Sequence, residues 1–288
     1  MRDWKSVNDK YITEGELYLT FDFLECWRNE VTTLNQDKRG GQYCYPTSLF
    51  MFLYALKHTF HLGYRQEQGF LQSLQLYIPI PSIPSYSQIQ RRSTQLYVDL
   101  NLLPAENSQI VAVDSSGIKL YNSGQWIREK HKKKGPFLKI HVAVNIKTKQ
   151  VVAISITEDS VGDNKEALSL IDKAGEYAPI CSGLFDGAYD TYEIWEGLEQ
   201  RGIQPLIRLR KNAVADYWKS WQRAKTVKEY KKNEKKWVKE KGFGQRWQVE
   251  TWFSSLKRRF GEHCTATKPR NVLHEVLFKT ALCNKMIV

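Results

Sequence analysis

Three carboxylates and two cations carry the chemistry legible in this sequence. Asp114 follows the apolar run Ile110 to Val113, in IVAVDSSGIKL, and Asp186 follows the run Ile180 to Phe185, in ICSGLFDGAYD. Each run reads as a buried strand that delivers one carboxylate at or near its end. An unpartnered carboxylate is costly to bury, so a cation or a metal is expected beside each. The third carboxylate, Glu250, lies in FGQRWQVETWFSSLKRRFG, Phe243 to Gly261, which the spacing predicts to be an amphipathic helix. At about 100° per residue, Arg246, Glu250 and Lys257 fall within roughly 40° of one another, so one edge presents a cation, a carboxylate and a cation. Val249, Trp252, Phe253, Leu256 and Phe260 fill the adjoining arc, which docks the helix on a core. Taken alone, the helix is better explained by an i,i+4 Arg–Glu pair on a solvated face, the ordinary reason for such spacing. Three carboxylates on two strands and one helix instead suit oxygen ligation of a divalent metal, the arrangement that performs phosphoryl transfer with two ions.

The elements that must position these groups fall into two regions. Residues 1–105 read as helical. Leu17 to Trp27 suits a short helix; Pro46 and Thr47 open a strongly apolar helix closed by Gly63, and a second helix spans Tyr64 to Tyr77. After the proline-punctuated Pro79 to Pro84, Ser87 and Gln90 suggest a capping box for a third helix, Gln88 to Val98, with Arg91 and Arg92 in its first turns. Three short-linked helices with a basic third suit either a helix-turn-helix that contacts DNA or a bundle that braces or dimerises. Asn101 to Ser108 marks the boundary.

From Ile110 the pattern turns to strands: Ile110–Leu120, Phe137–Val144 and Val151–Thr157 suit an antiparallel meander. Asp163 and Glu166 suggest a second capping box for a helix to Ala174. A strand at Ile180–Phe185, a helix at Thr191–Arg201 and a strand at Pro205–Leu209 follow, with Asp190 as the cap before Thr191. Lys130 to Lys134, in the connection between the first two strands, is a run of basic and imidazole residues; such a run is usually a solvated loop, but in this position it would project beside the acidic site. Residues 211–242 read as an insertion in which Trp218, Trp221, Tyr230 and Trp237 interleave with lysines. Such a segment either tracks a DNA backbone or packs its tryptophans on the core, the second being the ordinary fate of each ring.

Composition agrees with a nucleic-acid partner. The 288 residues carry a formal charge of +12, and Arg208 to Lys241 alone holds 13 Lys and Arg against 4 Asp and Glu, which favours polyanions. The five cysteines are scattered singly, which suits reduced thiols in a cytoplasmic protein. His58 and His61 read as ordinary helix residues. The apolar stretch Leu49 to Leu56 is too short to span a bilayer, and no apolar signal core follows Met1, so neither membrane insertion nor export is expected.

The spacing Phe243-x2-Arg246-x3-Glu250-x6-Lys257, preceded by DSSGIK at Asp114 and DGAYDT at Asp186, resembles the Asp-Asp-Glu (DDE) transposases of prokaryotic insertion sequences, in the group with a Tyr-Arg-Glu-Lys signature. Phe243 stands where that signature has tyrosine. The resemblance covers most of the chain. It implies a mixed α/β, ribonuclease-H-like catalytic domain over residues 106–288, interrupted by the basic insertion and preceded by the helical region. It further implies two Mg²⁺ (or Mn²⁺) ions on Asp114, Asp186 and Glu250, and DNA phosphates met by Arg246, Lys257, Lys119, Lys139, Arg91 and Arg92. The implied partner is double-stranded DNA, as transposon ends and target, with a homodimer assembling on it at the nucleoid. The implied reaction is cleavage at the ends followed by strand transfer. A nuclease of the same fold that does not join DNA, a transposon-derived DNA-binding protein and a basic structural protein are the rival readings. The transposon-derived binding protein would be expected to have lost a carboxylate, and all three are present; the structural protein leaves the three carboxylate contexts unexplained.

Overall fold

The computed structural model describes residues 3–17, 20–104, 108–120 and 137–287. The chain divides into two compact units, Met1–Val98 and Asp99–Val288. The basic run Lys130 to Lys134 lies outside the described residues. Among those residues no helix is long and apolar enough to cross a membrane.

The first unit holds α1 (Trp4–Leu17), α2 (Asp22–Asn35), α3 (Thr47–Phe60), α4 (Tyr64–Leu74) and α5 (Tyr86–Ser93). Leu49, Phe50, Leu53, Tyr54 and Leu56 bury most of one side of α3. Aromatic contacts join α2 to α3 and to the segment before it: Phe23 meets Phe52 at 5.1 Å between ring centroids, and Trp27 meets Tyr45 at 6.3 Å. The helix boundaries differ from the sequence reading in several places, α4 stopping at Leu74 and α5 at Ser93 among them. Leu17 to Trp27 is not one helix, since α1 ends at Leu17 and α2 begins at Asp22. His61, in the left-handed conformation, ends α3, while Gly63 precedes α4 and donates its N–H to Gln66 Oε1 at 2.7 Å. The capping box of α5 uses Ser85 and Gln88, because SYSQIQ contains the Ser-x-x-Gln spacing twice and the earlier start turns Ile89 and Ser93 inward together. Arg91 and Arg92 therefore occupy the last turn of α5, where cations complement the helix dipole. The Arg92 guanidinium stacks over Tyr43 and Phe50, and Arg91 is exposed.

The second unit is organised on β1 (Gln109–Leu120), the central strand of a six-stranded sheet. β2 (Phe137–Asn145) and β3 (Val151–Glu158) add antiparallel on one side; β4 (Ile180–Phe185) and β5 (Gln204–Ile207) add parallel on the other, in the order β3-β2-β1-β4-β5. α6 (Asp163–Tyr177) connects β3 to β4 and α7 (Tyr192–Gln200) connects β4 to β5, the helical crossovers that parallel strands require. This order of three antiparallel strands, then two parallel ones, is the ribonuclease-H-like arrangement. α6 opens at Gly162 with no side-chain cap; Glu166 accepts instead from Ser155 Oγ at 2.7 Å, because β3 lies within its reach.

Val111 and Val113 share one core with Leu170, Ile171 and Trp195. Strand alternation turns Ala112 and Asp114 to the opposite face, where α10 (Trp247–Phe260) packs on β1 and β2. Asp114 is thus mid-strand, and β1 continues to Leu120, where β6 (His263–Cys264) pairs with it. Between β5 and α10 come α8 (Trp221–Lys232) and α9 (Glu234–Glu240), and α11 (Pro269–Ile287) packs on β3. There Asn284 acts as a strand partner, exchanging 2.9 Å hydrogen bonds with the Val151 N–H and C=O.

One buried group sets a pH dependence in the helical unit. Glu67 on α4 is fully buried, and among the described residues neither of its oxygens has a hydrogen-bond partner. Burial pushes its carboxyl up to about 8, against the opposing charge of Lys57. The folded state therefore keeps a proton that the unfolded chain releases, and this contribution to stability is full below about pH 4.5 and lost as pH rises towards 8. Urea unfolding of wild type and Glu67→Gln from pH 4 to 9 is expected to show the difference moving in favour of Gln by about 1.4 kcal/mol per pH unit within that window. A difference independent of pH would mean that burial does not shift the Glu67 carboxyl between the folded and unfolded chain.

Candidate active site

β1 and β4 run parallel with Val111 opposite Gly183 and Ala112 opposite Leu184. Two residues further along each chain come Asp114, still on β1, and Asp186, the residue after β4, near enough for the charge of Asp186 to act on Asp114. Asp186 ends β4 in an extended conformation and caps a 3-10 turn, Gly187–Tyr189, by accepting the Ala188 N–H at 2.7 Å.

The helix carrying the third carboxylate starts later than its periodicity predicts. Gly242 adopts φ +63°, Phe243–Arg246 forms a 3-10 turn, and the α-helix begins at Trp247. Val249, Trp252, Phe253, Leu256 and Phe260 are all buried, as their spacing requires. This anchors the helix and leaves Glu250 exposed on its free edge. Arg246, at the junction of turn and helix, donates Nη1 to Asp114 Oδ2 at 3.2 Å and Nη2 to Glu250 Oε1. The guanidinium and the Asp114 side chain are mostly shielded from solvent, whereas Glu250 reaches outward. Burial pushes the Asp114 carboxyl above its ordinary value; the Ser115 N–H and Arg246 oppose the shift, and the charges of Asp186 and Glu250 add to it. The three carboxylates therefore share one electrostatic environment.

Among the described residues no three His, Cys, Asp or Glu side chains converge closely enough to hold a metal ion. Arg246 stands between Asp114 and Glu250. In chemistry the donor set is that of a hard divalent cation, being all oxygen, and Asp114 and Glu250 already share one cation, Arg246.

The remaining residues singled out in the sequence are dispersed. Lys257 lies in the last turn of the same helix, half-buried. Lys119, on β1, is 3.8 Å from Glu262. Lys139, on β2, donates to Asp163 at 3.2 Å and to the Val161 carbonyl at 3.1 Å. Next to it His141 is buried against the Thr157 hydroxyl at 2.8 Å, and burial lowers its basicity. Arg91 and Arg92 belong to the helical unit.

Two supporting features escaped the sequence reading. Asp190 does not cap α7; its two oxygens receive Nε and Nη2 of Arg223 at 2.7 and 2.9 Å, and the Trp195 indole donates at 3.0 Å. Burial alone would raise this carboxyl, but the Arg223 and Trp195 hydrogen bonds outweigh it and hold it below the ordinary range. Thr191 takes the capping position, and Arg223 ties α8 to the turn after Asp186. Arg210 secures that turn further, donating to the Gly187 and Ala188 carbonyls at 3.0 and 3.3 Å. Tyr189 is the second feature. Its ring is buried, and its hydroxyl is pushed far upward by burial and then by the charges of Asp114, Asp163 and Asp186. A DGAYD string following an apolar run was the available signal for both. Within the insertion the tryptophans divide: Trp237 is buried between Tyr230 and Phe243, whereas Trp218 is 100% and Trp221 61% exposed, so these two do not pack on the core as expected.

A ribonuclease-H-like sheet with acids on its first strand, after its fourth and on a covering helix defines a class of nucleases and transposition enzymes. The chain belongs to the DDE transposase family: the family model for the transposase DDE domain matches residues 106–284, and a second transposase DDE domain model matches residues 13–123. Among solved structures, a chain of the piggyBac transposase synaptic complex with hairpin DNA is similar at TM-score 0.42 and 11% identity, over 96% of this chain and 74% of that one. A chain of the simian T-cell lymphotropic virus intasome complexed with the PP2A regulatory subunit B56 gamma is similar at TM-score 0.28 and 14% identity, over 68% of this chain; the match spans 65% of that chain. The Mos1 strand transfer complex is similar at TM-score 0.27 and 11% identity, over 61% of this chain and 62% of that one.

The position of Phe243 yields a prediction. Its ring is buried 5.5 Å from that of Trp237, at the start of the turn that presents Arg246. Phe243→Ala is expected to destabilise the protein by about 3–5 kcal/mol, the usual cost of removing a buried phenyl ring. Phe243→Tyr is expected to leave both the urea midpoint and DNA cleavage nearly unchanged. A gain in cleavage of roughly tenfold with Tyr, the value of one charge-assisted hydrogen bond, would show that the missing hydroxyl matters.

Proposed function

We propose that this protein is a transposase of prokaryotic insertion sequences that binds the ends of its element, cleaves them and joins them to target DNA. One observation carries the reading. Arg246 joins Glu250, four residues on, to Asp114, 132 residues away in sequence, and Asp186 follows the strand next to Asp114, which supports a common role for the three carboxylates and the signature arginine. Asp114, Asp186 and Glu250 are the residues that would hold two Mg²⁺ or Mn²⁺ ions, which when bound supply electrostatic stabilisation of the charge developing on the phosphoryl oxygens.

The chemistry is two displacements at phosphorus. A water oxygen bonds to phosphorus at the element's end while the bond to the 3′ oxygen breaks, freeing a 3′-hydroxyl. That hydroxyl then bonds to a target phosphorus as the target's own 3′ oxygen leaves. Each step makes one P–O bond and breaks one, so neither needs a covalent protein intermediate. Arg246 and Lys257, on the Glu250 edge of one helix, orient the phosphates next to the reacting one; a guanidinium does so through two parallel hydrogen bonds and an ammonium as a point charge. Lys119 and Lys139, on the first two strands, contact flanking phosphates, Lys139 after exchanging Asp163 for DNA. Arg91 and Arg92 lie in the helical unit, which contributes to end recognition; Arg91 is the more available, since Arg92 is stacked on two rings. The exposed Trp218 and Trp221 amid the lysines of the insertion extend the DNA-binding surface. Two copies assemble on a pair of ends, and the protein works at the nucleoid.

Asp114→Ala, Asp186→Ala and Glu250→Ala are each expected to lower single-turnover cleavage of an end-containing duplex by about a thousandfold, the equivalent of several kcal/mol in the barrier, while a gel-shift assay shows the duplex still bound. Cleavage that persists in one variant removes that residue from the site. Cleavage without strand transfer in wild type would make the protein a nuclease.

A further inference from the structure

Arg246 occupies an unusual place for a residue read as a DNA contact. It is spent on the very carboxylates that the reaction needs. Its fork reaches Asp114 on one side and Glu250 on the other, and no other cation among the described residues pairs with either. Lys119 is directed to Glu262 and Lys139 to Asp163. The oxygens that Arg246 engages, Asp114 Oδ2 and Glu250 Oε1, are among those that would ligate a metal, and a divalent ion placed there meets an adjacent fixed positive charge.

Resting on the reading of Asp114, Asp186 and Glu250 as metal ligands, we propose that Arg246 is the resident cation of the DNA-free site, and that transfer of its guanidinium from the two carboxylates to a DNA phosphate admits the divalent ion. DNA and metal then bind cooperatively, and the site stays closed to metal until DNA is in place.

Three properties of the site support this exchange. A phosphodiester presents two oxygens to a guanidinium in nearly the geometry of a carboxylate, so the fork changes partner without losing its hydrogen bonds. Glu250 is the exposed member of the bridge, with more than half its side chain in solvent, and moves at little cost once released. Asp114 is the fixed member, held through its other oxygen by the Ser115 N–H at 2.8 Å, so it remains in position as a ligand after Arg246 departs. By linkage, the factor by which DNA raises metal affinity equals the factor by which metal raises DNA affinity.

The test is Mn²⁺ binding to the full chain, read from the electron paramagnetic resonance signal of free Mn²⁺. Without DNA, Arg246→Gln is expected to bind Mn²⁺ at least about tenfold more tightly than wild type. A duplex carrying the element's end is expected to tighten Mn²⁺ binding by wild type but to have little effect on the variant. Equal or weaker Mn²⁺ binding by Arg246→Gln, or the same gain from the duplex in both proteins, overturns the proposal. Should Arg246→Gln fail to fold by near-ultraviolet circular dichroism, Arg246→Lys serves in its place, because its point charge cannot bridge both carboxylates; it too is expected to bind Mn²⁺ more tightly than wild type, and no tightening overturns the proposal. Glu250→Gln and Asp114→Asn in the Arg246→Gln background separate the two levels of the argument. If both weaken Mn²⁺ binding, the carboxylates are ligands whatever the role of Arg246; if neither does, the reading of the site falls, and the exchange with it.

Discussion

Like charges do not assemble without help. The parallel pairing of β1 and β4 brings Asp114 near Asp186, which follows β4, and the charge of Asp186 makes ionisation of Asp114 more costly. Glu250 adds a third negative charge. Sequence-distant packing holds them together. The core of Val111, Val113, Leu170 and Trp195 keeps the strands in register, and the five buried side chains on α10 hold Glu250 over the sheet. At about 1.5–3 kcal/mol for each fully buried large apolar side chain, that single helix face outweighs the repulsion. Arg246 offsets the remainder locally.

A second ion pair keeps the geometry from relaxing. Asp186 is the last extended residue before a turn, and a turn at the end of a strand is usually the mobile part of a sheet. Here the turn is anchored from beyond β5. Arg223 on α8 makes two hydrogen bonds to Asp190, and Arg210 donates to two carbonyls of the turn. The segment between β5 and α10 is therefore a brace as well as a source of positive charge. Removing one partner of such a buried pair leaves a charge uncompensated, which typically costs about 3–5 kcal/mol.

Much of this was legible in the sequence because it depends on periodicity. Apolar runs of strand length located β1 to β5 to within a residue or two, and the 3.6-residue spacing of Val249 to Phe260 gave the buried face of α10 correctly. The order of elements was enough for the ribonuclease-H-like topology. What stayed hidden depends on partners remote in the chain. Asp190 looked like a helix cap because its neighbour Thr191 precedes a helix; only the folded chain brings Arg223 to it. Ser87 and Gln90 matched a capping box as well as Ser85 and Gln88 do, and burial of Ile89 with Ser93 decided between them. The i,i+4 spacing showed that Arg246 could reach Glu250. That it also reaches Asp114 follows from the packing of α10 on β1, which no local pattern encodes.

The central claim is that Asp114, Asp186 and Glu250 surround one metal site. The direct measurement replaces Mg²⁺ with Fe²⁺ on the protein bound to an end-containing duplex and adds ascorbate and peroxide, so that hydroxyl radicals released at the ion cut the nearby backbone. Cuts are predicted at three separated places: on β1 around Asp114, in the turn from Asp186 to Tyr189, and between Arg246 and Glu250. Cuts confined to one of these, or falling elsewhere in the chain, would contradict a shared site.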